Sequence, residues 1–294
     1  MRTQQIVVGD VRSPVLVGGP DGSEAVVFVH GNPGAGSDWL RLMAPIAEFA
    51  RVVAPDMPGF AGAEMRADQD YTVAAYARHL DGVIQALGVE RVHLVAHDFG
   101  GPWALTWAAD HPHKVASVTL INTGVLLDYR WHRLARIWRT PLVGELFQRI
   151  ATPRLTRALL GHDNPGLDRA SVAHIAAHLH PWGTKRAVLR LYRSTNIRSM
   201  IPIAAALQRH DLPCLVVWGT DDVYLPVEQA DKQTQPFPSA RIHTIVGAGH
   251  WVFLEQAERV AELVVPFLRT QLGDPDPQPT EPPRPARRRR AVAG

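Results

Sequence analysis

Disulfide chemistry is closed to this chain. Its 294 residues include one cysteine, Cys214, so no intrachain bridge can form and a disulfide-stapled secreted scaffold is excluded. Long apolar runs are missing too. None reaches the roughly 18 residues that a membrane-crossing helix needs, and the opening MRTQQIVVGDV lacks the apolar core of a secretory signal. Cytoplasmic residence with no membrane partner is the expectation. Charge is sparse and nearly balanced, with 20% Asp, Glu, Lys and Arg and a net charge of +3. The last stretch, GDPDPQPTEPPRPARRRRAVAG, sets Arg284 and Arg287 to Arg290 against Asp274, Asp276 and Glu281, which is +2 of that +3. The body is therefore almost neutral and offers no basic face for a nucleic acid. Residues 273–294 are rich in proline and poor in apolar side chains, a composition expected to stay disordered. No metal or cofactor motif appears, and neither is expected.

What the chain does have is a hydrophobic content of 46%, ample for a sizeable core. Apolar runs alternate with amphipathic stretches, the pattern of a parallel sheet covered by helices. AVVFVHG (25–31), RVVAPDMPG (51–59), RVHLVAHD (91–98), KVASVTLINT (114–123), LPCLVVWG (212–219) and ARIHTIVG (240–247) read as strands. YTVAAYARHLDGVIQALG (71–88) and GGPWALTWAADHP (100–112) read as helices, and VFLEQAERVAELVVPFLRTQLG as one long closing helix. From Gly124 to Ala205 the strand rhythm stops and the chain is mostly helical. The expected organisation is a core of residues 1–123 and 206–272, a helical cap of 124–205, and the 273–294 tail.

LVAHDFGG (94–101) carries the central question. A nucleophile on a sharp strand-to-helix turn needs small neighbours two residues away on each side, here Ala96 and Gly100. The turn has no serine, and Asp98 stands where the hydroxyl would be. Three more strand ends carry polar residues: VHGNPGAGSDW (29–39), WGTDDVYLP (218–226) and GAGHWVFLEQ (247–256). Ligands bind at such ends in an open sheet. The chain order is Asp98, an acid at Asp221 or Asp222, then His250, which is the order nucleophile, acid, histidine.

On these residues the chain resembles the α/β-hydrolase fold over roughly 5–272, and HDFGG resembles the branch of epoxide hydrolases and haloalkane dehalogenases. The serine version has glycine where Ala96 stands, a mild departure. The resemblance implies a triad of Asp98, Asp222 and His250. Asp222 is preferred over Asp221 by the spacing from Gly219 to Pro226. It also implies an oxyanion hole from the N–H groups of Asn32 and Phe99. INTG (121–124), where some relatives hold the acid, has none.

An ionised carboxylate suits attack on a saturated carbon bearing a leaving group. The expected product is an ester on Asp98, hydrolysed by water that His250 activates while Asp222 orients the imidazole. For an epoxide, the cap must also help the leaving oxygen. VLRLYRST (188–195) places Tyr192 on the second ring-opening tyrosine of the epoxide hydrolases. Phe147 lies where the first would be sought, which leaves Tyr129, or a cap histidine among His174, His178 and His180. The alternative is a dehalogenase, with the Asn32 side chain holding halide. Phe99 stands where those enzymes carry tryptophan, and Trp131, Trp138 or Trp182 could replace it only in part. Other α/β-hydrolases and a non-catalytic binding relative complete the alternatives. A small-molecule substrate is the expected partner, and a homodimer is left open.

Overall fold

A computed structural model describes residues 1–273; the expected disordered tail lies outside the described residues apart from Gly273. Eight strands form one sheet: β1 (Arg2–Val8), β2 (Val11–Gly18), β3 (Glu24–Val29), β4 (Arg51–Pro55), β5 (Arg91–His97), β6 (Val115–Ile121), β7 (Cys214–Gly219) and β8 (Arg241–Ile245). Their spatial order is β1-β2-β4-β3-β5-β6-β7-β8. From β4 to β8 all neighbours are parallel, and β2 runs antiparallel to both β1 and β4. The fold is thus α/β with a mostly parallel sheet, as the alternation of runs predicts. The central strands are apolar on both faces, and β6 is buried along its whole length, as expected where helices cover both sides.

Two features depart from the sequence reading. The first is the N-terminal hairpin of β1 and β2, which precedes the first expected strand. Its signal is the two-residue Gly9-Asp10 turn, with Gly9 at φ +57°, followed by strict burial of Val11, Ser13, Val15 and Val17 on one face. The second is the closing helix, which is broken at Gln256 into Val252–Glu255 and Ala257–Gln271. The short first piece buries Val252 and Phe253, with Phe253 stacked on Trp39 at 4.3 Å. Glu255 reaches back to the Gly249 N–H at 2.9 Å, so this turn serves the His250 loop rather than the helix behind it.

Helix Val73–Ala86 packs on helix Gly100–Asp110, and Leu40–Ile46 packs on Ala257–Gln271. Between β6 and β7 the chain inserts six helices, from Arg133–Arg139 to Met200–His210. Inside this insertion, Arg193 pairs with Glu145 at 2.6 Å and donates to the Trp138 carbonyl. Buried Lys185 donates to the carbonyls of Gln148 and Ala151 at 2.7 and 3.0 Å, closing the end of helix Val143–Ile150. The last inserted helix, Met200–His210, packs on Gly100–Asp110, so the expected boundary at Ala205 falls inside an element docked on the core. Among the described residues no helix is long and apolar enough to cross a membrane.

At Gly100 the helix after β5 comes within backbone contact of β3. A Cβ on Gly100 would lie 2.1 Å from the carbonyl oxygen of Val29 in β3. Gly100→Ala must push helix and strand apart, which is expected to cost about 1–3 kcal/mol. Thermal denaturation should show Tm lowered by several degrees. An unchanged Tm would mean that this contact is slack.

Candidate active site

Asp98 follows β5 at φ +49°, a left-handed conformation that side chains rarely adopt, and helix Gly100–Asp110 begins two residues later. The strain projects its carboxylate over the C-terminal end of the sheet. Gly31 makes room, since a Cβ there would sit 2.4 Å from that of Asp98. The Thr123 hydroxyl donates to the Asp98 carbonyl at 2.5 Å and fastens the turn to the end of β6. Ala96 is fully buried at the small position of the turn.

The two carboxylate oxygens have different surroundings. Oδ1 accepts the Asn32 N–H at 2.6 Å. Oδ2 lies 3.6 Å from His250 Nε2, an ion-pair distance longer than a hydrogen bond. On its other side His250 Nδ1 meets Asp222 Oδ2 at 2.7 Å. Asp222 is saturated: Oδ1 accepts the N–H groups of Tyr224 and Leu225 at 2.8 and 2.9 Å, and Oδ2 also accepts Asn122 Nδ2 at 2.7 Å. The His97 ring lies 4.6 Å from that of His250, and its Nε2 reaches the His250 carbonyl at 3.0 Å.

These contacts bring together Asp98, Asp222, His250 and Asn32. Asp221 is exposed and takes the Thr220 hydroxyl, so it stays outside. Of the two expected oxyanion donors, only the Asn32 N–H reaches Asp98 among the described residues. Phe99 contributes its ring, which meets Tyr192 edge-on at 5.0 Å.

A two-armed cavity opens above Asp98, with Asp98, His132 and Tyr192 lining both arms. The arm beside His250 is walled by Leu134, Trp138, Phe147, Gln148 and Tyr224, and the other by Phe99, Leu126, Trp131 and Met200. The Tyr192 oxygen has Asn32 Nδ2 at 3.4 Å and His132 Nε2 at 3.5 Å. Tyr129 also lines a wall, but its hydroxyl donates to the Tyr224 carbonyl at 3.0 Å and accepts the His132 N–H at 3.2 Å. Both its capacities are spent on the main chain, so the expected role of Tyr129 as a ring-opening acid is corrected to a tie between insertion and core. His174 and His178 sit on Asp38 instead, and neither they nor His180 lines this cavity. Trp182 is 58% exposed and is also outside it.

Three participants escaped sequence reasoning. His132 caps helix Arg133–Arg139 by accepting the Ala135 N–H on Nδ1, an unusual capping residue with no sequence signal. Tyr224 meets the His250 ring edge-on at 5.1 Å. Asn122 is held at φ +44° and accepts the Gly219 N–H while donating to Asp222. Its signal is its place in INTG, at the strand end where some relatives hold the acid.

A family profile described as alpha/beta hydrolase fold matches residues 24–257. The chain belongs to that family. It is similar to the 2-hydroxy-6-oxo-6-phenylhexa-2,4-dienoate hydrolase of Burkholderia cepacia, 27% identical over 83% of this chain and 87% of the relative. It is also similar to the 2-hydroxy-6-oxo-2,4-heptadienoate hydrolase of Pseudomonas putida, 29% identical over 84% and 89%. Among solved structures, the epoxide hydrolase VrEH1 of Vigna radiata superposes with a TM-score of 0.75 at 19% identity, covering 92% of this chain and 98% of its own. The epoxide hydrolase CorEH gives 0.77 at 17%, covering 92% and 99%. At such identities these two structures speak for the fold.

In this α/β-hydrolase the charges around His250 set its protonation. Burial alone would lower its pKa, but Asp222 and Asp98 outweigh burial and raise it to about 10. Burial would raise the Asp98 pKa, yet His250 holds it below the ordinary carboxylate value. Burial lowers His97 and His132 to about 4, so both are neutral at pH 7. A histidine whose folded pKa exceeds its unfolded value of 6.5 stabilises the fold fully below that pH, and the contribution is lost as pH rises through about 10. Denaturant-measured stability should therefore fall between these values. Asp98→Asn removes one of the two carboxylates and should shrink the fall. An equal fall in both proteins would contradict the pairing of His250 with Asp98.

Proposed function

We propose that this α/β-hydrolase opens epoxides to vicinal diols through an ester on Asp98. The single observation that carries the reading is the environment of the Tyr192 hydroxyl. Its oxygen faces two donors, the Asn32 amide and His132 Nε2. Because His132 Nδ1 accepts the Ala135 N–H, the proton of this neutral imidazole lies on Nε2. The phenolic hydrogen is then free to point into the cavity over Asp98. Burial keeps the Tyr192 pKa well above its ordinary value, so the phenol remains a donor at any working pH.

The steps follow from these positions. Asp98 Oδ2 attacks one ring carbon, the C–O bond breaks, and the departing oxygen takes the Tyr192 proton. His132 and Asn32 steady the phenolate left behind. Oδ1, held on the Asn32 N–H, becomes the carbonyl oxygen of the ester. Esterification removes a negative charge beside His250, so the imidazolium gives up its proton more readily, and a proton passed back through solvent restores the Tyr192 hydroxyl. As a neutral base it activates water against the ester carbonyl, and the Asn32 N–H receives the charge that develops on Oδ1. Asp222, fixed by Asn122 and two main-chain amides, holds the ring throughout.

A second reading, release of halide from an alkyl halide, is favoured by one observation. Trp138 Nε1 is buried, lines the cavity and has no partner, and with Asn32 Nδ2 it could hold an anion. The chemistry named for the curated relatives, hydrolysis of dienoate ketones, fits Asp98 less well. A carboxylate adding to a carbonyl is itself the better leaving group and returns the substrate. The test is a panel of epoxides and haloalkanes scored for diol and for halide, with wild type, Tyr192→Phe and His132→Leu. Loss of the phenolic proton donor is worth roughly 2–4 kcal/mol, so Tyr192→Phe should slow diol formation about 30- to 1,000-fold. His132→Leu, acting through Tyr192, should slow it less. Halide release with no diol, unaffected by Tyr192→Phe, would overturn the epoxide reading.

A further inference from the structure

Away from the cavity, three metal-ligating side chains converge on one spot. Asp38 lies in the short turn Gly36–Trp39, just after the loop that supplies the Asn32 N–H, and its side chain is 2% exposed. Its Oδ2 accepts the Ala35 N–H at 2.9 Å. Its Oδ1 faces His174 Nε2 at 2.8 Å and His178 Nε2 at 3.2 Å. The two histidines lie four residues apart on helix Arg169–His178, a spacing that sets both on one face. The three ligand atoms fall within 4.8 Å of one another, and nothing in the proposed reaction uses them.

We propose that Asp38, His174 and His178 bind a zinc-type divalent transition cation that clasps the inserted helix Arg169–His178 to the core turn Gly36–Trp39. Two imidazoles and one carboxylate suit Zn²⁺, Co²⁺ or Ni²⁺, whereas Mg²⁺ and Ca²⁺ favour oxygen ligands. Bonds of about 2.0–2.1 Å at a tetrahedral centre separate ligand atoms by roughly 3.3 Å. The gaps of 2.8 and 3.2 Å to Asp38 therefore need to widen by about 0.5 Å at most, and the gap between the two imidazole nitrogens, within 4.8 Å, must settle to the same spacing. The His174 side chain is 46% exposed and free to give that much. On binding, each Nε2 offers its lone pair to the ion and carries its proton on Nδ1 instead. The hydrogen bond from Ala35 to Oδ2 fixes the carboxylate, as outer partners of metal ligands do. A solvent-reaching hollow lined by Ala35 and Ser37 touches one of the three ligands, His178. A divalent charge would also offset the buried Asp38 carboxylate, which otherwise depends on imidazole protons.

The experiment uses the full chain without an affinity tag, stripped of metal and titrated with Co²⁺ and then Zn²⁺. Calorimetry and the visible Co²⁺ spectrum give stoichiometry and affinity, and thermal denaturation gives the shift on loading. One equivalent should bind and raise the Tm. Loss of an outer partner weakens metal sites 10- to 100-fold, so loss of a ligand in His178→Ala or His174→Gln should weaken binding by at least about 100-fold. If His178→Ala fails to fold, the half-exposed His174→Gln decides. Binding that is not one-to-one, or that survives both substitutions, would reduce the cluster to an ordinary carboxylate–imidazole contact and overturn the proposal.

Discussion

His250 between two carboxylates is the arrangement on which the rest of the structure depends. Asp222 on one side and Asp98 on the other hold a buried imidazole in its charged form. Buried charges persist only when paired and hydrogen-bonded, and the surroundings meet that demand at every atom but Asp98 Oδ2, which faces His250 Nε2 at 3.6 Å. Asp222 accepts two main-chain amides, Asn122 and His250; Asp98 takes the Asn32 N–H; His97 braces the His250 carbonyl. The contacts come from the ends of β3, β5, β6, β7 and β8, so the sheet's strand order itself assembles the group.

The same charges give the proposed reaction its sequence in time. With Asp98 ionised, His250 holds its proton and is no base. Once Asp98 is an ester, one of the two charges that raised the imidazole pKa is gone, and the base appears when water must be activated. In the proposed reaction the carboxylate on the turn acts twice, as the attacking group and as the switch for the second step.

Much of this was legible in the sequence because strand-end motifs are local. HDFGG, HGNP and GTDD each sit where a buried apolar run stops, GAGH follows the half-exposed edge strand β8, and the chain order links them without any knowledge of distance. The cap resisted for the opposite reason: its residues reach the site through packing between helices that no short motif records. Tyr192 could be placed from LYRST, but His132 enters as a helix cap, and Tyr129 turned out to hold main chain rather than substrate. The Gly9-Asp10 hairpin is marked only by strict alternation and a two-residue turn, a weaker signal than the long apolar runs of the central strands. Asn122 carries no charge, so nothing local in INTG marks it as the partner of a distant acid.

The claim at the centre is that the oxygen given to the product comes first from Asp98. A single turnover in oxygen-18 water, with enzyme in excess over an epoxide that it opens, measures this directly. The account predicts an unlabelled first diol and oxygen-18 in the peptide that contains Asp98. A fully labelled first diol, with no label in Asp98, would mean that water opens the ring directly and would contradict the account.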